Sequence, residues 1–339
     1  MVTAMVTSMV TTSDGVSESP PSGAEDLWVV VLMVILGVIG VIGNTLVCII
    51  IIRAKFLHNL TNYLILSLAF ADLSASFFLV TNVFPLEAGL VTTPPQGMVA
   101  AEIFCRLYSS RHFFWVSVTA SVFNLIFVTF ERFFAIVYPL HYPIYFDLRK
   151  VQIMVFLSWA VSNIQEAFAF FINFYIPEKQ TCGYGYSNEQ VGILVGVFVF
   201  LMSYFLPLII MIIAYSLIFI NLKKEAHPGD QSQTQVQADS MSRARKKVVQ
   251  VLILVVIAFT VLWTPNQVTY FFENLKVELV PTDHTFYKLF RVMAFANSVI
   301  NPFIYAFKYK QFRKGFRVAV CNFPKNQIGF SNESSDRNA

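Results

Sequence analysis

The residues best suited to chemistry in this 339-residue chain are few, and most lie in apolar surroundings. Asp72 stands in LSLAFADLSAS with no basic residue in that stretch, and Asn44, Ser121, Asn297, Ser298 and Asn301 stand in other apolar runs. An ionisable group in hydrocarbon is costly and is a functional candidate by default. Brought together, these residues would offer one carboxylate and several neutral oxygens, a set suited to a small cation such as sodium or to a water network. Spacing alone leaves equal room for local bonds from each Ser and Asn to its own helix backbone. Glu131–Arg132 is a pair of adjacent opposite charges at the end of another apolar run. In isolation such a pair could simply snorkel to headgroups. Pro207, Pro265 and Pro302 fall inside apolar runs, where proline frees a carbonyl and kinks the helix. In a membrane bundle neighbouring side chains or waters can satisfy that carbonyl, and kinks beside buried polar groups suit a bundle able to change shape. No nucleophile–base pairing, metal-ligand spacing or phosphate loop points to an enzyme.

The elements that must position these groups follow from composition. The chain is 56% hydrophobic and 13% charged, with a mean hydropathy of +0.62. A soluble chain is nearer 45–50% apolar and about 25% charged, so this is a membrane protein. A spanning helix needs about 20 mainly apolar residues, and such runs occur near 27–52, 62–88, 103–137, 151–175, 191–221, 247–272 and 285–307. The expected fold is all-α: a seven-transmembrane helix bundle over 27–308, followed by a short amphipathic eighth helix over 309–321. Residues 1–26 read as a disordered extracellular tail and 322–339 as a disordered cytoplasmic one. The segment 222–246, with HPGDQSQTQVQADS, reads as a flexible loop. With seven spans, 18 of the 24 basic residues fall on one side. Lys and Arg gather on the cytoplasmic side, which places the C-terminus in the cytoplasm and the N-terminus outside. The outer side carries about twelve acids against six bases, counted on this topology. A formal charge of +4 gives no reason to expect nucleic acid.

Taken in order, these residues resemble the signature of rhodopsin-like (class A) G-protein-coupled receptors, from about residue 27 to 321. Gly43–Asn44 stands in span one, and Leu68-Ala69-Phe70-Ala71-Asp72 is similar to the family's LAxAD. Glu131-Arg132-Phe133 resembles DRY, and Trp159 is the lone span-four tryptophan. Pro207 and Tyr215 match span five. Phe259, Trp263 and Pro265 match FxxxWxP, and Asn301-Pro302-Phe303-Ile304-Tyr305 matches NPxxY. The resemblance implies a plasma-membrane receptor with a heterotrimeric G protein, arrestin and membrane lipids as partners. It implies that Arg132 leaves Glu131 and swings toward Tyr215 and Tyr305, with Trp263 coupling the ligand pocket to the core. It implies sodium as an allosteric ligand at Asp72, Asn44, Ser121, Asn297, Ser298 and Asn301, with no cofactor required. It also implies a disulfide between Cys105 and Cys182. Cys48 reads as an apolar packing residue. Phe312 and Phe316, four apart among basic residues, suit a helix lying at an anionic leaflet, and Cys321 beyond them is a palmitoylation candidate.

The chain departs from the family in places. Cys105 lies two residues farther from Arg132 than usual, while Ser121 and Leu125 keep their distances, so the extra residues belong near the outer end of span three. Arg245 stands where many relatives carry an acid that pairs with the span-three arginine. The resting state would then rest on Glu131 and packing, and appreciable basal activity is expected. Asn59 and Asn332 begin sequons that fall on the cytoplasmic side.

The family pocket lies among spans three, five, six and seven. Amine receptors resemble one another in an Asp eighteen residues before the span-three Arg, here Phe114, and opsins in a span-seven Lys, here Phe295. A monoamine or a light sensor is therefore not expected. Phe114, Trp115, Tyr270, Phe271, Tyr287 and Phe295 would form a wide aromatic mouth, with Asn82, Trp263, Asn266, Gln267 and Arg291 among them. Some of these rings would instead face lipid or the interface. Glu87, Glu166 and Arg111 read as charged groups at or near the outer membrane boundary. An acidic outer face attracts cationic ligands, and the segment around Cys182 can form a hairpin lid. The expected ligand is a peptide, through neuropeptide receptor activity; the alternatives are a lipid or small anionic metabolite bound by Arg291 or Arg111, and, in another class, a transporter or proton pump using Asp72 and Glu166.

Overall fold

A computed structural model describes residues 17–18, 27–224, 233–281 and 284–319. Seven helices are long and apolar enough to cross a membrane: α1 (Leu27–Arg53), α2 (Leu60–Glu87), α3 (Met98–Val137), α4 (Leu148–Ile172), α5 (Glu189–Leu222), α6 (Val249–Asn274) and α7 (Thr285–Lys308). A shorter helix, α8 (Lys310–Ala319), follows. Within a span every backbone group must bond internally. Local capping fixes where several spans start. The side chain of Asn59 accepts the Asn62 N–H at 3.0 Å before α2, Asp147 accepts that of Lys150 at 2.9 Å before α4, and Asn188 accepts that of Val191 at 2.9 Å before α5. The hydrogen bond from the Lys150 N–H holds the Asp147 carboxyl below its ordinary range.

All seven expected spans are present, and the differences are local. α4 begins at Leu148 because Asp147 caps it, and ends at Ile172 because the chain there turns into a strand. The helix that contains α6 begins at Gln233, inside the segment expected to be a flexible loop. After Gly229 that stretch has no Gly or Pro and is rich in Gln, Ala, Arg and Lys, which favour helix. Three wide π turns interrupt the spans: Leu79–Val83 in α2, Phe104–Ser109 in α3 and Leu201–Phe205 in α5. In α3 the π turn is followed by Arg111 with a left-handed φ of 57°. The two extra residues foreseen near the outer end of span three are taken up by this break, so Ser121 and Arg132 keep their places below it.

At the end of the bundle that carries the disulfide, β2 (Asn173–Ile176) and β3 (Thr181–Tyr184) form an antiparallel hairpin, and β1 (Ser17–Glu18) pairs with the free edge of β3. The hairpin expected there is present. At the opposite end, α8 packs across the foot of α1. A methyl group added at Gly315 would stand 2.8 Å from Ile50 and 2.9 Å from Leu57. Phe312 is buried against Tyr305, at 6.1 Å between ring centroids, while Phe316 is exposed. The two phenylalanines thus differ in role, one holding the helix to the bundle and the other facing outward. Cys321 lies outside the described residues, as do the Asn332 sequon and both tails apart from Ser17–Glu18, which pair as a strand where a disordered tail is expected.

Candidate functional site

Three polar clusters are built inside the bundle. The first is centred on Asp72, fully buried on α2. Its carboxylate accepts the Ser121 hydroxyl of α3 at 2.7 Å and the Asn301 amide of α7 at 2.8 Å. Ser298 lies within hydrogen-bond reach of the same carboxylate. Asn44 stands one layer away, donating to the Gly40 carbonyl at 3.0 Å and the Ser298 carbonyl at 2.8 Å, so it ties α1 to α7 without touching Asp72. Asn297 is buried beside this group. One carboxylate, two hydroxyls and an amide form a hard oxygen donor set, the kind that suits a small cation with oxygen ligands. Above it lies a cavity of about 10 Å³ bordered by Ser298, Trp263, Phe114 and Phe295, about the room for one water.

The second cluster closes the opposite end of α3. Glu131 is fully buried, and its carboxylate accepts Thr61 Oγ1 at 3.0 and 3.1 Å, Arg132 Nε at 2.6 Å and the Tyr142 hydroxyl at 2.6 Å. Arg132 also donates to Thr61. Burial, and then the Glu131 carboxylate beside it, push the Tyr142 phenol above its ordinary range, so it stays a neutral donor. Arg132 is therefore clamped. Tyr215 instead reaches Thr129, and the Tyr305 hydroxyl is buried without a partner. Neither tyrosine meets Arg132 in this conformation. Sequence reasoning identified Glu131 and Arg132 but missed Thr61 and Tyr142. Thr61 sits in the Asn59-Leu60-Thr61 sequon, whose Asn caps α2 and whose Thr holds the arginine. The side chain of Arg245 lies outside those described.

The core between these ends is aromatic. Tyr204, Phe259 and Trp263 form a run of rings, with centroids 6.1 and 6.4 Å apart. Pro265 lies within α6 and Pro302 within α7. A methyl group added at Gly43 of α1 would stand 3.1 Å from the Pro302 ring.

The third region lies toward the disulfide end, and it corrects one expectation. The aromatic mouth is filled. Phe114, Trp115, Tyr270, Tyr287 and Phe295 are all buried, and Phe114 meets Phe295 edge-on at 5.6 Å. The two positions where other branches carry a charged anchor are thus occupied by rings in contact. Glu87, Arg111 and Glu166 are also turned into the protein. Glu87 receives Arg111 at 2.8 Å and Arg291 at 3.1 Å, all three side chains at most 8% exposed. Glu166 of α4 is fully buried and accepts the Thr119 hydroxyl at 2.9 Å. Helix rotation, which the sequence does not report, turns these groups inward. Among the other ligand candidates, Asn82 donates to the Tyr108 carbonyl at 2.8 Å, and Asn266 and Gln267 are buried on α6. Of the candidates, Phe114 and Trp263 border the cavity above Asp72. Cys105 and Cys182 are joined in a disulfide that ties the π turn of α3 to β3, while Cys48 is a free, half-buried thiol packed on the core.

Comparison with known proteins agrees with this architecture. The sequence model of the 7 transmembrane receptor (rhodopsin family) matches residues 43–305. The chain belongs to that family, and is therefore a receptor rather than an enzyme or pump. Similar proteins include human trace amine-associated receptor 6, 28% identical over 308 residues covering 86% of this chain and 85% of the relative. Human trace amine-associated receptor 1 is 26% identical over 85% of this chain and 86% of its own length. The human histamine H2 receptor is 26% identical over 88% of this chain and 81% of its own.

Proposed function

We propose that the chain is a plasma-membrane receptor that binds a small protonated amine outside the cell and activates a heterotrimeric G protein within it. The disulfide end faces outward, as the skew of basic residues supports, so the amino terminus is extracellular. The observation that carries the coupling function is the buried clamp of Glu131, Thr61 and Tyr142 on Arg132. An arginine held under a lid of hydrogen bonds at the cytoplasmic end is a two-state element that ligand binding can bias. Release would free it toward Tyr215 and the unpartnered hydroxyl of Tyr305, opening a cavity for the G protein. Arrestin would engage the same open end. Sodium would be held by Asp72, Ser121, Ser298 and Asn301 in the resting state.

A peptide, the expectation from sequence, loses its support. The outer aromatic residues pack against one another instead of lining an open mouth, and the relatives are named for trace amines and histamine. A small amine fits the enclosed bundle better, even though Phe114 removes the family's usual anchor. A second reading is favoured by one observation: two buried guanidiniums, Arg111 and Arg291, lie side by side against the Glu87 carboxylate near the outer end of the bundle. That arrangement suits a lipid or metabolite anion.

The test is G-protein activation in cells expressing the chain, challenged with 2-phenylethylamine, histamine and, separately, short-chain carboxylates. A response to an amine that Arg132→Ala abolishes is the expected result. A response to carboxylates alone, lost in Arg291→Ala, would replace the amine by the anion.

A further inference from the structure

The amine reading leaves a question: which group receives the ammonium when Phe114 stands at the usual anchor? Among the buried carboxylates, each oxygen of Asp72 already accepts a hydrogen bond, Glu131 holds Arg132, and Glu87 holds two arginines. Glu166 differs. It is fully buried, no Lys or Arg among the described residues pairs with it, and its Oε2 has no hydrogen-bond partner there. Its Oε1 accepts the Thr119 hydroxyl at 2.9 Å and lies 3.4 Å from Gln165 Nε2, which in turn donates to Ser203 of α5 at 2.5 Å. His112 of α3 interacts with the backbone of residue 166. Tyr270 of α6 lies within electrostatic reach. The carboxylate thus stands where α3, α4 and α5 converge, with one oxygen oriented by a hydroxyl and the other without a hydrogen-bond partner among the described residues.

An ionised carboxylate in a low-dielectric interior is strongly disfavoured until a cation joins it, and an ionisable group inside a membrane bundle marks a ligand pathway by default. We propose that Glu166 is the ammonium-binding residue of this receptor, with Oε2 receiving the ligand cation and Thr119, Gln165 and Ser203 forming the polar wall around it; this rests on the amine reading above. Thr119 lies five residues beyond Phe114, roughly 7.5 Å along the helix axis. It faces α4, whereas Phe114 faces α7 through its contact with Phe295. A ligand anchored here lies deeper and toward α4 and α5, and leaves the Phe114–Phe295 contact intact. In this conformation the carboxylate is enclosed, so entry requires the side chains around it, Gln165 among them, to turn aside.

The experiment measures concentration–response curves for 2-phenylethylamine and histamine, with 2-phenylethanol as the uncharged control, in wild type, Glu166→Gln and Glu166→Asp at matched surface levels. Removing one partner of a buried charge pair should raise the half-maximal concentration roughly thirtyfold or more in Glu166→Gln. Partial recovery is expected in Glu166→Asp and no response to the alcohol in any form. Coincident amine curves for wild type and Glu166→Gln would overturn the assignment while leaving the amine reading standing. Silence of wild type toward both amines, with ligand-independent signalling still lost in Arg132→Ala, would overturn the amine reading and this site with it. Should Glu166→Gln fail to reach the surface, Thr119→Val decides. Loss of the oriented hydroxyl should shift the curve about fivefold, and an unshifted curve overturns the proposal.

Discussion

At the scale of single residues, the clamp on Arg132 is the most consequential arrangement. The Glu131 carboxylate gathers three donors: Thr61 on α2, its neighbour Arg132, and Tyr142 in the turn after α3. Hydrogen bonds to a charged group each contribute about 1.5–3 kcal/mol. Glu131→Gln keeps the shape but removes the charge that makes these bonds strong. Its expected effect is a ligand-independent active-to-resting ratio raised tenfold or more, read as second-messenger production at matched surface level. Thr61→Val should act in the same direction and less strongly. An unchanged basal signal in Glu131→Gln would show that packing alone holds the resting state. Glu131 and Arg132 were legible because adjacent charges at the end of an apolar run are conspicuous. Thr61 was not, since an ordinary threonine gains its role only from a partner seventy positions away.

At the scale of elements, close approaches set the geometry. α1 lies against α2 through Gly37 and Gly40. A Cβ on Gly40 would stand 2.2 Å from Ser76 Oγ and 2.8 Å from its Cβ, while that hydroxyl is bonded to the Asp72 carbonyl at 2.7 Å. Gly40→Ala should therefore force the helices apart or break that bond, at a cost of about 1–3 kcal/mol. Reduced surface expression and a lower inactivation temperature in detergent would register it, and wild-type behaviour in both would count against the packing shown. Cys105→Ser should cost about 2–4 kcal/mol, read in the same thermal assay, because the disulfide anchors the hairpin over the outer end of the bundle. The seven spans were legible because twenty apolar residues in a row have few other uses. The wide turns in α2, α3 and α5 were not, apart from the spacing between Cys105 and Arg132. Nor was the facing of Glu166 and Glu87. Composition reports what is costly in hydrocarbon, whereas the direction a side chain takes depends on a helix rotation fixed by contacts across the whole bundle.

At the scale of the whole molecule, the clusters lie along one path from the outer polar wall through Trp263 and Asp72 to Arg132. α7 connects them: Phe295 meets Phe114, Ser298 and Asn301 serve Asp72, and Tyr305 waits with an unpartnered hydroxyl near the inner end. A cation at Asp72 would hold α2, α3 and α7 together and so favour the conformation in which Arg132 stays clamped. A ligand shifts such an equilibrium only by its difference in affinity for the two states. If sodium binds the resting form about tenfold more tightly, replacing it should change the ratio of states by about tenfold, near 1.4 kcal/mol. Nucleotide exchange on the G protein in isolated membranes should then rise when sodium chloride is exchanged for potassium chloride at constant ionic strength. In Asp72→Asn, which keeps the size of the side chain and removes its charge, the two salts should give the same rate. Equal rates in the two salts for wild type would mean that the Asp72 cluster is a hydrogen-bonded joint between helices, able to set their spacing but insensitive to the ion.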